Sequence, residues 1–310
     1  MFRLRRNRSR SLPHKGSFME INGTIIRALS GFYYVEAAGT VYECRARGAF
    51  RKEGVSPLVG DSVTIETDGE KGTVVKIGER KNYLLRPPVA NLDRLFIVSS
   101  VKSPEPNIFV IDKMTVFAEK SGIEPVIVFS KCELDDAQPL CDIYEKCGFS
   151  TVKCSSVTGE GLDKIAALIS GCRCAFTGNS GVGKSSLINA LVPDLSLETN
   201  GISEKLGRGR HTTRSVSLYS ACGGYIADTP GFSSFEQSAS PLLVDKEELA
   251  EQFPEFRRFI TECRFYPSCS HTRDKGCAVC EAVKNGEIPV SRHESYLRMY
   301  EEVKNIKAWD

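Results

Sequence analysis

The sequence predicts a multidomain α/β protein: a small β-barrel, then a domain of alternating strands and helices, then a helical segment carrying a metal-ligand cluster. Three observations lead to it. Short β-branched runs crowd the first eighty residues, apolar runs alternate with helical spacing from Leu92 onward, and cysteines cluster with a histidine near the end. With 310 residues, the chain has room for two or three domains, and at 41% apolar composition it can bury a core in each.

The N-terminal stretch Met1–Lys15 holds Arg3, Arg5, Arg6, Arg8, Arg10 and Lys15 and no acid, although the whole chain is only +2. It reads either as a solvated tail or as an arm that neutralises nucleic-acid phosphates. No apolar signal region and no run of about 18 apolar residues are present, so neither secretion nor a membrane helix is expected. Twelve cysteines, mostly isolated in apolar segments such as Cys44, Cys132 and Cys222, suit a reducing cytoplasm rather than a disulfide scaffold.

The barrel block reads as five strands, Met19–Leu29, Gly31–Ala37, Thr40–Ala46, Asp61–Glu66 and Gly72–Ile77, punctuated by Gly and Asp. Five short strands in so few residues suit an OB-type barrel, and equally another small β-barrel. The second block has strands Arg94–Ser100, Val126–Ser130, Thr151–Ser155, Arg173–Thr177 and Tyr225–Asp228, with helical spacing over Ile108–Lys120, Cys141–Cys147 and Leu162–Ile169. That alternation implies a mainly parallel sheet, to which the alternating run Ser215–Tyr219 adds an edge strand. The last block ends in an amphipathic helix, Arg292–Lys307. Boundaries follow: 1–17 basic tail, 18–88 barrel, 89–240 α/β domain, 241–310 metal-binding helical domain.

Chemistry enters with Gly178-Asn179-Ser180-Gly181-Val182-Gly183-Lys184-Ser185, a G-x-x-x-x-G-K-[ST] loop between a strand and a helix that begins at Ser185 and continues through Ser186. Glycines let backbone N–H groups wrap a phosphate chain, and the helix N-terminus adds its positive end. Lys184 is placed for the β- and γ-phosphates, and the Ser185 hydroxyl for Mg2+. Downstream, Asp228-Thr229-Pro230-Gly231 follows a strand: Asp228 can hold Mg2+ through water, and the Gly231 N–H can sense a γ-phosphate. Between them lies Gly207-Arg-Gly-Arg-His211-Thr212-Thr213-Arg214, where a threonine, Thr213 rather than Thr212, offers Mg2+ a second hydroxyl. After Gly231 stands Phe232, which cannot orient a water as the glutamine of Ras-like proteins does. His211 is the candidate for that catalytic task, and equally a phosphate or RNA contact.

Guanine recognition normally follows these motifs, but here its best matches precede them. Ser130-Lys131-Cys132-Glu133 ends a strand where N-K-x-D is expected, and Ser155-Ser156-Val157-Thr158-Gly159 ends the next as an S-A-K-like loop. Glu133 replaces Asp with one methylene more of reach, and Ser130 lacks the amide that braces the loop. The motifs thus occur in circularly permuted order, which a fold tolerates because it needs only its three-dimensional contacts. The D-x-x-G segment then leads directly into the C-terminal domain. There, Cys263-x5-Cys269-x-His271-x5-Cys277 supplies three thiolates and an imidazole for one closed structural Zn2+ site, and Cys280 could stand in for one ligand.

Together, Gly178–Ser185, Gly207–Thr213, Asp228–Phe232, Ser155–Leu162 and Cys263–Cys277 resemble the RsgA family of small-subunit-dependent GTPases over nearly the whole of residues 18–305. The resemblance implies a GTPase with GTP/GDP and Mg2+ (Ser185, Thr213, Asp228), acting late in small ribosomal subunit assembly. It also implies stimulation by the subunit and an rRNA-facing barrel and zinc domain. Apart from the resemblance, the chain is expected to be a cytoplasmic monomer with no membrane partner. The chain departs at Ser130 and Glu133, and in a gap between the first two cysteines one residue longer than usual. Two rival readings remain from the residues: a phosphate-loop ATPase or kinase with a β-barrel substrate domain, and a non-hydrolysing RNA-binding module.

Overall fold

The structure is a computed structural model describing residues 19–52, 54–69, 71–85, 87–192, 216–228 and 244–304. The basic tail, Gly207–Arg214 with His211 and Thr213, and Thr229–Phe232 with Gly231 lie outside the described residues.

Strand β1 (Met19–Leu29) is long enough to pair twice. Its second half pairs with β2 (Phe32–Ala37) and its first half with β4 (Ser62–Thr67), with a register shift between Ile25 and Arg27. β3 (Thr40–Ala46) pairs with β2 and lies parallel to β5 (Lys71–Ile77), which pairs with β4. The ring β1-β2-β3-β5-β4-β1 closes without a free edge. Ile25, Val35, Cys44, Val63, Ile65 and Val74 fill its interior. The two hairpin turns, Ser30-Gly31 and Ala38-Gly39, all take positive φ, so β2 starts one residue later than the sequence suggests. β4 likewise starts after Asp61, whose buried carboxylate turns to the Leu58 N–H and Arg80 at 2.7 Å. One helical turn, α1 (Gly48–Lys52), and a hairpin of β6 (Tyr83–Leu85) and β7 (Pro88–Ala90) complete this half.

The α/β domain contains β8 (Arg94–Ser100), α2 (Ile108–Lys120), β9 (Glu124–Ser130), α3 (Gln138–Lys146), β10 (Ser150–Lys153), α4 (Leu162–Ile169), β11 (Arg173–Thr177), α5 (Lys184–Leu191), β12 (Ser217–Ala221) and β13 (Gly224–Asp228). Its strand order is β10-β9-β8-β11-β13-β12, parallel throughout except β12. Strands β8 and β9 are buried on both sides, which explains their unbroken apolar runs. Because the strands are parallel, the C-terminal ends of β8, β9, β10, β11 and β13 share one edge, the place where ligands bind in such sheets.

The barrel is joined to this sheet rather than tethered beside it. Arg27 of β1 pairs with Ser217 of β12, and Ser217 pairs on its other side with the backbone of Asp228. The Tyr225 hydroxyl donates to Glu36 at 3.0 Å, and Arg173 donates to Thr24 at 3.3 Å and Ser62 at 3.4 Å.

The C-terminal segment holds two 3-10 turns, Leu249–Gln252 and Pro254–Phe256, then α6 (Arg257–Ile260), α7 (Ala278–Lys284) and α8 (Val290–Val303). Helix α8 starts two residues before the expected Arg292, after Pro289. Arg292 itself is fully buried: it donates to Asp112 at 2.7 Å and Thr115 at 3.0 Å on α2, and to Glu255 at 2.6 Å. Phe253 of this segment and Tyr144 and Phe149 of the α/β domain place their rings around it.

Candidate nucleotide site and metal centre

Gly178 follows β11 with φ +140°, and a Cβ there would stand 2.0 Å from the Val98 carbonyl oxygen. Only glycine lets the loop leave the sheet against β8. Gly183, at φ +92°, caps α5, whose first N–H groups open onto the loop. Lys184 folds over the loop, with Nζ donating to the Gly178 carbonyl and, at 2.7 Å, to that of Asn179. Ser185 and Ser186 are half-buried in the first turn of α5, Ser180 and Gly181 are exposed, and Val182 is buried.

The residues expected from the sequence to recognise the base lie against this loop. The Ser130 hydroxyl donates to the Val182 carbonyl at 2.5 Å and to that of Ser99 at 3.3 Å. Ser130 lacks an amide to brace the loop, and its hydroxyl makes a contact to the phosphate loop instead. Lys131 takes φ +59°, and its ammonium donates to the carbonyls of Gly181, at 2.8 Å, and Ser103. Glu133 is exposed two residues further on, where the Leu134 N–H closes the turn onto the Lys131 carbonyl at 2.9 Å. The next loop is braced too: buried Ser155 accepts from the Val157 and Thr158 N–H groups at 3.2 and 3.1 Å, leaving Ser156 exposed. The loops are linked by the Cys132 N–H to the Cys154 carbonyl at 3.2 Å and by the Cys132 thiol to Glu160 at 3.4 Å. Burial, aided by that carboxylate, pushes the Cys132 thiol up to about 11, so it serves as a neutral donor.

The structure thus brings Ser130, Lys131, Ser155 and Gly178–Ser186 to one edge of the sheet. The backbone of Asp228 is at the end of neighbouring β13. The contributions of Ser99, Ser100, Ser103 and Pro104, in and after β8, carry no motif and were missed in the sequence.

Cys263, Cys269, His271 and Cys277 are all buried, with their ligand atoms within 4.8 Å of one another. Two sulfurs held about 2.3 Å from one ion at the tetrahedral angle stand about 3.8 Å apart, and a sulfur and a nitrogen about 3.5 Å. Here Cys263 and Cys277 sulfurs are 3.8 Å apart, and His271 Nδ1 is 3.4 and 3.6 Å from them. The donor set therefore fits a tetrahedral zinc ion. Cys280 does not join it; its thiol donates to the His271 and Thr272 carbonyls. The centre is held from outside by Tyr296, donating to the Ser270 carbonyl at 2.7 Å, and by His293 Nε2, 2.9 Å from the His271 carbonyl. Burial lowers the His271 pKa, which favours the neutral imidazole a metal needs, and pushes the Cys269 and Cys277 thiols up to about 12, a penalty that a cation reverses.

The family comparisons agree with this architecture. The profile of the RsgA GTPase matches residues 77–238, and that of the RsgA N-terminal domain matches residues 22–75. The chain is 45% identical over 292 residues to the small ribosomal subunit biogenesis GTPase RsgA of Geobacillus kaustophilus, covering 92% of this chain and 98% of that one. It is 43% identical to the protein of the same name from Streptococcus pneumoniae, covering 92% and 95%. Among solved structures it is similar to YjeQ from Thermotoga maritima (TM-score 0.77, 34% identity, 93% and 100% coverage). It is also similar to YloQ, described as a circularly permuted GTPase (TM-score 0.79, 33% identity, 96% and 99% coverage). These matches set aside the kinase and non-hydrolysing readings: the chain belongs to the RsgA family of circularly permuted GTPases and is a GTP hydrolase.

Proposed function

We propose that this GTPase acts on the small ribosomal subunit during its assembly, with the subunit accelerating hydrolysis. The observation that carries this is correspondence over 92% of the chain with relatives named as small ribosomal subunit biogenesis GTPases. Such work calls for a soluble cytoplasmic protein acting as a monomer, with rRNA meeting the barrel and the zinc domain; among the described residues no helix is long and apolar enough to cross a membrane.

In this reading, backbone N–H groups of Gly178–Gly183 and the start of α5 cradle the phosphates, and Lys184 moves from the loop carbonyls onto the β- and γ-oxygens. Ser185, Thr213 and Asp228 would hold Mg2+, which when bound would neutralise charge on those oxygens. Gly231 reads the γ-phosphate. Lys131 lays its stem along the base, Glu133 accepts from the guanine N1–H and amine, and Ser130, Ser155 and Ser156 hold the two loops around it. With Phe232 beside Gly231, the attacking water is oriented by His211 or by a group on the subunit. Zn2+, held by Cys263, Cys269, His271 and Cys277, is structural.

Turnover of GTP is the test, measured with and without small subunits and with ATP as competitor. Strong stimulation, lost in Lys184→Ala and insensitive to ATP, is expected. Turnover that the subunit leaves unchanged would overturn the partner, and equal inhibition by ATP would overturn the base reading.

A further inference from the structure

The base-side loop is anchored by a residue outside every nucleotide motif. Ser100, the last residue of β8, is fully buried, and its hydroxyl donates to the Pro104 carbonyl at 2.6 Å, closing the turn over residues 100–104. The start of that turn is tied to β9 by the Val101 N–H on the Ser130 carbonyl at 3.0 Å. Its tip, Ser103, takes φ +55° and presents its carbonyl to the Lys131 ammonium, whose other acceptor is the Gly181 carbonyl of the phosphate loop. The Pro104 ring lies 3.8 Å from where a Gly181 Cβ would be.

A lysine on a flexible four-carbon stem keeps one rotamer only where acceptors hold its ammonium. A side-chain-bearing residue at positive φ, as Lys131 is, persists only where its surroundings fix it. The Lys131 ammonium has two such acceptors, and one of them, the Ser103 carbonyl, is placed by this turn. The turn that sets it is closed by the Ser100 hydroxyl.

We infer that Ser100 is a positioning residue for base recognition: by closing the 100–104 turn it fixes the carbonyl that anchors Lys131, and through Lys131 it sets the reach of Glu133. The inference rests on the base reading proposed above. It touches neither the phosphates nor the reacting water, so its signature is in affinity and base choice, not in the chemical step.

The test uses the full chain without ribosomes and the fluorescent N-methylanthraniloyl forms of GDP and ADP. Ser100→Ala is expected to raise the Kd for GDP about fivefold, the worth of one buried hydrogen bond, and to raise that for ADP less. In turnover, KM rises while kcat holds. Ser100→Thr, which keeps the hydroxyl, restores the wild-type Kd. In a Lys131→Met background, Ser100→Ala should change the Kd less than about twofold, because the route through the ammonium is already gone. An unchanged Kd in Ser100→Ala, or a full additional fivefold loss in the Lys131→Met background, overturns the inference while leaving the base reading intact. A wild-type protein that binds ADP as tightly as GDP overturns both.

Discussion

Replacing Arg292 by Leu is the most severe test of how the C-terminal segment is held. The guanidinium is fully buried and bridges two carboxylates: Asp112, fully buried on α2, and Glu255, 4% exposed at its side chain. Removing one partner of a buried ion pair costs about 3–5 kcal/mol, because the charge left behind is uncompensated. Here two buried charges would be stranded, which puts the loss at the upper end, about 5 kcal/mol. At roughly 2 °C per kcal/mol for a chain of this size, the unfolding midpoint should fall by about 10 °C. Scanning calorimetry of the variant gives that number. The companion variant Arg292→Leu/Asp112→Leu/Glu255→Leu should recover most of the loss, since an apolar replacement of a whole buried triad is often neutral. A single variant that melts within about 2 °C of wild type would refute the reasoning, as would a triple variant no better than the single.

Metal removal should loosen the C-terminal helices first, seen as early loss of amide protection in α7 and α8 on titration with a chelator. Because the Cys269 and Cys277 thiols, pushed up to about 12 by burial, must lose protons to bind metal, zinc affinity should rise with pH; His271, depressed by burial, contributes stability that is full above its unfolded value near 6.5 and is lost as pH falls through its lower folded value. Competition with a chromogenic chelator from pH 6 to 8 reads that slope, and a flat profile would contradict it. Gly178→Ala, which pushes a methyl against the Val98 carbonyl, should cost at least about 2 kcal/mol in denaturant unfolding and abolish GDP binding. Tyr225→Phe, which breaks the bond to Glu36, should cost only about 1 kcal/mol; a loss above about 3 kcal/mol would mean that the seam carries more than that hydrogen bond.

Elements defined by periodicity or by a motif were legible in the sequence. The barrel strands, β8, β11 and α2 begin and end close to where alternation and apolar spacing place them, because their burial is set by their own side chains. Gly178–Ser185 was legible because phosphate geometry demands its glycines. The hydroxyl brace at Ser130 was not: a motif records which residue usually stands there, whereas 2.5 Å to the Val182 carbonyl is a fact of packing between segments fifty-two positions apart. Nor was Arg292, whose spacing marks a polar position on an amphipathic helix; its two carboxylates come from distant parts of the chain. The β6–β7 hairpin escaped because its strands are three residues each, too short for any period to show.

The single pairing of Arg27 with Ser217 has a consequence for anyone who dissects the molecule. β12 is the outermost strand of the α/β sheet, and the barrel wall is its neighbour on that side. A chain cut after β7 would strip from β12 the one backbone pairing described on its outer side and leave that border to solvent. Such a bare border invites intermolecular pairing. The isolated α/β portion is therefore expected to clump on expression, with fibrils or soluble multimers growing from that strand, and a Lys at Tyr219 should keep it dispersed.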